Sequence, residues 1–488
     1  MQLDDLNSPE EMEAAANALS EYPESHFVGC GIVICAGGPK HLHCGWICIK
    51  MLRHVGCTLP IEVWHLGPEE IPEVVKRDLA GLNVTCVDAH EVRKQHPARI
   101  LKGWEVKPYA IIHSRFNEAL FLDADNVPVV NPEYLFEHPR YFETGAVFWP
   151  DRGILGADRP IWKLCGLEGR DEQEFESGQI LVNKEKCWKA LGLTMWMNEH
   201  SDFFYRHMHG DKETFHMAWA ALGQPYVMCP KGNPFESHMS FLQVDPDGKR
   251  VFQHRSWHKW SLFGHNASQK PQFLYEDECL EYLAEYRALL ASARDDGTIR
   301  STLASLIGQA ERFEPLLKCV KILKGIKNPV VVEIGAIRSD EERYRDGDGW
   351  ATLAVAWAID GKGGQLHTVD IDPKAIESSK RVLGTYAAGV QFHRADGVEF
   401  LRTFDRPIDL LYLDAWDFDG PGNAESEEKH LQCVQGVRHL PRYILIDDVL
   451  STLDYSGKGR LAIPWLLSGS YQMAYCDHRQ ALLQRLDE

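Results

Sequence analysis

The sequence predicts an α/β protein of two consecutive units, each a mostly parallel sheet with helices on both faces. Three observations carry this expectation. Short apolar runs that end in glycine or acidic turns alternate with helix-like segments from about residue 27 to 260, and again from about 326 to 488. Between them the pattern changes to dense charge with apolar residues at helical spacing, as in YEDECLEYLAEYRALLASARDD. Hydrophobic residues make up 44% and charged residues 25% of 488 positions, enough for more than one core. The expected division is 1–265, a helical connector at 266–325, and 326–488.

In the first unit, FVGCGIVICAGG at 27–38 reads as a buried strand closing on a glycine turn. Gly29 and Gly31 do not make a dinucleotide fingerprint, because Ile34 replaces the third glycine and both precede the strand. Gly37 and Gly38 are the useful pair, since backbone without side chains can approach a nucleotide closely. A helix over about 41–55 follows, then strands IEVWHLG at 61–67 and VTCVDAH at 84–90. FLDADNVPV is a further buried strand that opens into a loop at Asp123, Ala124 and Asp125. Residues two apart in extended chain point to one side, so both carboxylates can converge on one hard cation. Such an ion can bridge a diphosphate and stabilise it as a leaving group.

The net charge of −19 argues against nucleic acid or an anionic membrane as the main partner. Thirteen cysteines without a C-x-x-C pair read as reduced thiols of a cytoplasmic protein. The acidic first 25 residues do not read as a signal peptide, and no stretch reaches the ~20 apolar residues of a membrane span.

Lys107-Pro108-Tyr109-Ala110, Ser114, Phe116 and Phe121 through Pro128 together resemble the donor-binding core of the Mnn1-like alpha-mannosyltransferases. Glu176-Ser177-Gly178-Gln179 and His209-Gly210-Asp211-Lys212 look like that family's next two motifs, in its order. The resemblance implies a glycosyltransferase-A fold and a nucleotide-sugar donor, GDP-mannose or UDP-hexose, with Mn2+ or Mg2+ on Asp123 and Asp125. It makes His254 the third metal ligand and implies retention at the anomeric carbon. Asp211 and Lys212 would orient the donor, Lys107 would meet its phosphates, and Glu176 and Gln179 would face the reacting centre. His207 and His209 are left as structural residues.

The second unit shows strands at 328–337, 364–373, 390–400, 408–419 and 442–450. An acid ending the second strand is suited to hold ribose hydroxyls. This set resembles class I S-adenosylmethionine-dependent methyltransferases. On that likeness Glu333 and Gly335 belong to the first cofactor motif, Asp370 holds the ribose and Asp396 faces the adenine. RSDEERYRDGDG at 338–349 departs from the pattern, as a lid or a surface loop. Asp414, Asp447 and Asp448 end two successive strands, with Trp416 close by, as in catechol-type O-methyltransferases. Three acids there would repel one another, and a divalent cation would resolve this while lowering an acceptor hydroxyl's pKa. Gly457-Lys458-Gly459 is a turn able to approach a ligand.

The expected activity is therefore bifunctional: glycosyl transfer to a glycan or glycoconjugate hydroxyl, then O-methyl transfer to the same product with Asp414 in the catalytic set. The alternatives are a second unit that methylates an unrelated small molecule, or one that keeps the fold without chemistry.

Overall fold

The computed structural model describes residues 9–23, 26–232, 240–256, 258–262, 266, 268–291, 296–308, 312–341, 350–416, 424–452, 454–477 and 479–486. The chain forms two compact units, residues 1–260 with 266–288, and 261–265 with 289–488. The connector expected at 266–325 therefore does not stand apart. Its first helix, Glu276–Ala291, sets Tyr286 against Trp46, and Glu285 lies 2.7 Å from Lys50. The helix Phe313–Gly325 belongs to the second unit, where Lys324 Nζ sits 3.9 Å above the Trp357 ring. Apolar residues on one side of each helix drive that assignment, because a charged helix with one apolar face must bury it somewhere.

The first unit contains β1 (Cys30–Cys35), β2 (Ile61–His65), β3 (Val84–Asp88), β4 (Glu118–Asp123) and β5 (Asn126–Pro128). It continues with β6 (Ala146–Leu155), β7 (Glu172–Asn183), β8 (Val227–Met228), β9 (Phe241–Val244) and β10 (Arg250–His254). Seven strands form one sheet in the order β3-β2-β1-β4-β7-β6-β8, and β5-β10-β9 form a small second sheet. The interiors of β1 and β4 are apolar without alternation, as strands covered on both faces must be, while β2 carries the buried Glu62. From β3 to β4 the pairing is parallel, but β7 runs antiparallel to both β4 and β6. The sheet is thus mixed on one side. Trp64, Tyr109, Phe121, Phe148 and Trp219 lie in one buried core.

The second unit contains β11 (Val330–Ile334), β12 (Gln365–Asp370), β13 (Val390–Arg394), β14 (Leu410–Leu413), β15 (Tyr443–Ile446), β16 (Tyr471–Asp477) and β17 (Gln480–Arg485). Their order is β13-β12-β11-β14-β15-β17-β16, parallel through β15 and antiparallel at β17. The order reverses between β11 and β14, which opens a crevice at the carboxyl ends of those strands. The last two strands went unread in the sequence. The polar insertion runs beyond the described residues from 342 to 349.

No helix among the described residues is long and apolar enough to cross a membrane.

Candidate functional site

In the first unit a cavity of about 750 Å³ opens where β1, β2 and β4 end. Parallel strands leave their ligand crevice there. Gly37 lines it, and a Cβ at that position would strike the Glu70 carboxylate; Gly38, at φ +64, begins the helix Gly38–His54. Only glycines let this turn pass so close to its neighbour.

β4 delivers Asp123 into the cavity, while Glu176 on β7 and His254 on β10, which pairs with β5, stand beside Asp123 outside the cavity lining. Ligand atoms of Asp123, Glu176 and His254 lie within 4.8 Å of one another. His254 Nε2 is 4.0 Å from Asp123 and 3.2 Å from Asp125, and Nδ1 is 3.5 Å from Glu176. That Nδ1 is buried with no hydrogen-bond partner among the described residues. An orphaned ring nitrogen between carboxylates suits a divalent cation with mixed nitrogen and oxygen ligands. Burial works against a charged imidazole here, but Asp125 and Glu176 outweigh it and carry His254 up to about 10.

Several expected roles change. Asp125 is not in the ligand set; it is buried and paired with Lys259. The reason is that β4 stops at Asp123, so the two acids no longer follow strand alternation. Despite its burial, His254 and Lys259 hold Asp125 well below the usual carboxylate range. Lys107 lines the cavity with its ammonium already engaged by the chain's own groups. It lies 3.2 Å from Asp123 and 2.9 Å from Asp211, and it donates to Ser177 O and Oγ at 2.9 and 3.0 Å. It separates two acids that would otherwise repel. Burial disfavours its charge, but Asp123 and Asp211 more than restore it.

Gln179 does not line the cavity; fully buried, it donates to Asn126 at 2.5 Å and pins the turn after Asp125. Asp211 and Lys212 do line it, Asp211 accepting from Ser177 Oγ at 2.8 Å and Lys212 pairing with Asp151 and, at 2.8 Å, Glu174. His209, expected to be structural, also reaches the cavity. So do Lys259, His41, Tyr205 and Trp104, none of them singled out in the sequence. A signal existed for two: Lys259 follows the last strand in a basic aromatic run, and Trp104 immediately precedes the Lys107 motif.

The second unit has its own cavity, about 280 Å³, near the lower end for a small-molecule site. Gly335, Asp370, Asp396, Asp414 and Asp448 line it. Gly335 sits at φ +100, with the Asp414 carbonyl carbon 2.8 Å from where a Cβ would stand, so no side chain fits. Asp370 ends β12 and accepts from the amides of Ala336 and Asp372 at 2.9 and 2.8 Å. Asp396 caps the helix Gly397–Thr403, accepting from Val398 and Glu399 through one oxygen. That capping bond competes with the adenine contact expected of it.

Glu333 is not a cavity residue. Its two oxygens accept the hydroxyls of Thr352 and Thr368 at 2.9 and 2.7 Å, and burial pushes it up to about 8. An acid raised in the folded state binds a proton there that the unfolded chain releases. Its contribution to stability is whole below the unfolded value near 4.5 and is lost as pH rises through about 8. Glu333→Gln is therefore expected to leave the melting temperature unchanged near pH 5 and to raise it at pH 8. A calorimetric scan at both values checks this.

The acids Asp414, Asp447 and Asp448 do converge, with ligand atoms within 4.8 Å of one another. Their oxygens already face the chain's own cations. Arg312 lies 2.8 Å from Asp447 and 3.0 Å from Asp448, while Lys458 lies 2.8 Å from Asp414 and 3.1 Å from Asp448. Arg479 is 2.5 Å from Asp448, and Tyr412 donates to Asp447 at 2.7 Å. A divalent ion would have to displace Lys458, which is 3% exposed and fixed in the Gly457 turn. The metal expected here does not fit, because the repulsion it was to relieve is relieved from within.

In the first unit a cleft lined by acids and an imidazole lies beyond the carboxyl ends of parallel strands, where α/β units bind their ligands. The sequence of this unit is more specific. The model of the family described as "Mannosyltransferase putative" matches residues 29–163 and 167–241, most of this unit. Alpha-1,2-mannosyltransferase MNN21 of Candida albicans is 28% identical over 276 residues, 44% of this chain and 41% of that protein. Alpha-1,2-mannosyltransferase MNN5 of Saccharomyces cerevisiae is 26% identical over 292 residues, 47% of this chain and 50% of that protein. The chain thus spans half or less of the length of these relatives. Among solved structures, the glycosyltransferase GlyE of Streptococcus pneumoniae TIGR4 gives a TM-score of 0.32 at 13% identity, covering 83% of this chain and 89% of that one. The S-adenosylhomocysteine-bound methyltransferase PaMTH1 of Podospora anserina gives 0.28 at 14%, covering 46% of this chain and all (100%) of that one. Scores this low define no fold, which rests on the strand order instead.

Proposed function

We propose that the first unit is a metal-assisted mannosyltransferase and the second a methyltransferase using S-adenosylmethionine. The observation that carries the first is the convergence of Asp123, Glu176 and His254 at the strand ends. A cation held there, Mn2+ or Mg2+, would supply positive charge against the diphosphate of a nucleotide-sugar as it leaves. The donor is GDP-mannose or a UDP-hexose, the acceptor a glycan or glycoconjugate hydroxyl, and the product retains its anomeric configuration. Asp211, fixed by Lys107 and Ser177, is placed to hold sugar hydroxyls. Lys107 lines the same cavity and lies between Asp123 and Asp211, at 3.2 and 2.9 Å.

In the second unit, the Gly335 turn and Asp370 are suited to the cofactor's ribose, and Asp414 borders the same cavity. The sulfonium group supplies an activated methyl, and Arg312 and Lys458 neutralise the neighbouring acids without a metal. Methyl transfer to a hydroxyl of the mannosylated product would join the two activities.

The test is incubation with GDP-mannose or UDP-glucose and Mn2+, with S-adenosylmethionine added to half the samples. Release of nucleoside diphosphate, with a methylated glycan only where the second donor is present, is the expected result. Absence of any nucleotide-sugar turnover would remove the first assignment, and absence of S-adenosylhomocysteine binding in calorimetry would remove the second.

A further inference from the structure

Trp104 is a large aromatic side chain left 61% exposed, yet it borders the 750 Å³ cavity of the first unit. An indole offers a ligand a broad apolar face with a polar edge. Its position is built. The ring lies 5.9 Å from Tyr205 at an interplanar angle of 55°, and the Tyr205 hydroxyl is fixed on Asn198 at 2.5 Å. Gly210 makes room for it: a Cβ there would stand 2.7 Å from the indole Cε3, and its φ of +78 disfavours any side chain. The same glycine begins the helix Asp211–Leu222, so the indole and Asp211 are placed by one turn.

Resting on the glycosyl-transfer reading, we propose that Trp104 is the platform on which the pyranose ring of the acceptor stacks. A pyranose carries hydroxyls around its edge and presents C–H groups on a face. An indole can bury that face while the hydroxyls keep their hydrogen bonds. His209 and Lys212 border the same cavity and offer partners for those hydroxyls. The donor is assigned elsewhere, because its phosphates belong beside Asp123 and its sugar beside Asp211, where the side chains are buried. Trp104 stands at the mouth, where a second substrate enters from solvent.

The experiment uses the full chain loaded with Mn2+ and GDP, and methyl α-mannopyranoside as probe, read by saturation-transfer NMR. The wild type is expected to bind the glycoside through its C–H protons. Trp104→Ala is expected to bind roughly tenfold more weakly, the size of a lost stacking contact. Trp104→Phe should recover most of the affinity. Equal binding by wild type and Trp104→Ala, or no binding by the wild type, overturns the platform while leaving donor turnover to support the parent reading. If the wild type hydrolyses no nucleotide-sugar, the parent reading itself has failed.

Discussion

Asp123→Asn is expected to cut Mn2+-dependent release of nucleoside diphosphate by about 100- to 1000-fold, the loss that follows removal of one preorganised electrostatic group. The substitution keeps the shape of the β4 terminus and removes one of the two carboxylates grouped with His254 as candidate ligands. It also leaves Lys107 with Asp211 as its one carboxylate partner. Calorimetric Mn2+ titration should lose its heat in parallel with activity; full activity in the variant would sink the assignment. The same titration should depend on pH. His254 is held protonated up to about 10 by Asp125 and Glu176, and a metal must expel that proton. Mn2+ affinity is therefore expected to climb as pH rises from 6 to 9. A flat profile would show that the cation binds without His254.

Lys458→Met is expected to destabilise the second unit by about 1–3 kcal/mol, since Asp414 loses its lysine partner while Asp448 keeps Arg312 and Arg479. The lysine stands between Asp414 and Asp448 at 2.8 and 3.1 Å, and burial disfavours its charge less than those acids favour it. Its removal also empties the position a cation could take. In an Asp123→Asn background, where the first unit no longer competes, Mg2+ or Mn2+ should raise the melting temperature of Lys458→Met and not that of its Lys458 parent. Tight cation binding with Lys458 in place would overturn the metal-free reading.

Much of the architecture was legible from period and punctuation. Runs such as CGIVIC and EALFLD have apolar interiors without alternation, which marks a strand covered on both faces. Their ends were marked by glycines and acids, so Asp123, Asp370 and Asp414 could be placed at strand termini before any coordinate existed. The strands β16 and β17 were harder. Polar residues punctuate YQMAYCD and QALLQR, and their pairing lies with each other and with a strand forty residues away in sequence.

The site was legible as a list of residues but not as a set of partners. Sequence spacing could place Asp123 and Asp125 two apart; it could not say that β4 ends between them and sends Asp125 inward to Lys259, 134 positions later. Nor could spacing show Lys107 held between two acids, or Gln179 turned into the interior. In the second unit the residues Asp414, Asp447 and Asp448 were visible, but the arginine and lysine that answer them come from Arg312 and from a glycine turn at 457–459. What the amino-acid order determined by itself was the pair of α/β units, the strand ends and the acidic character of both clefts. Which charges meet was decided only in three dimensions, because electrostatic partnership depends on distance through space and the chain brings its cations from far along its length.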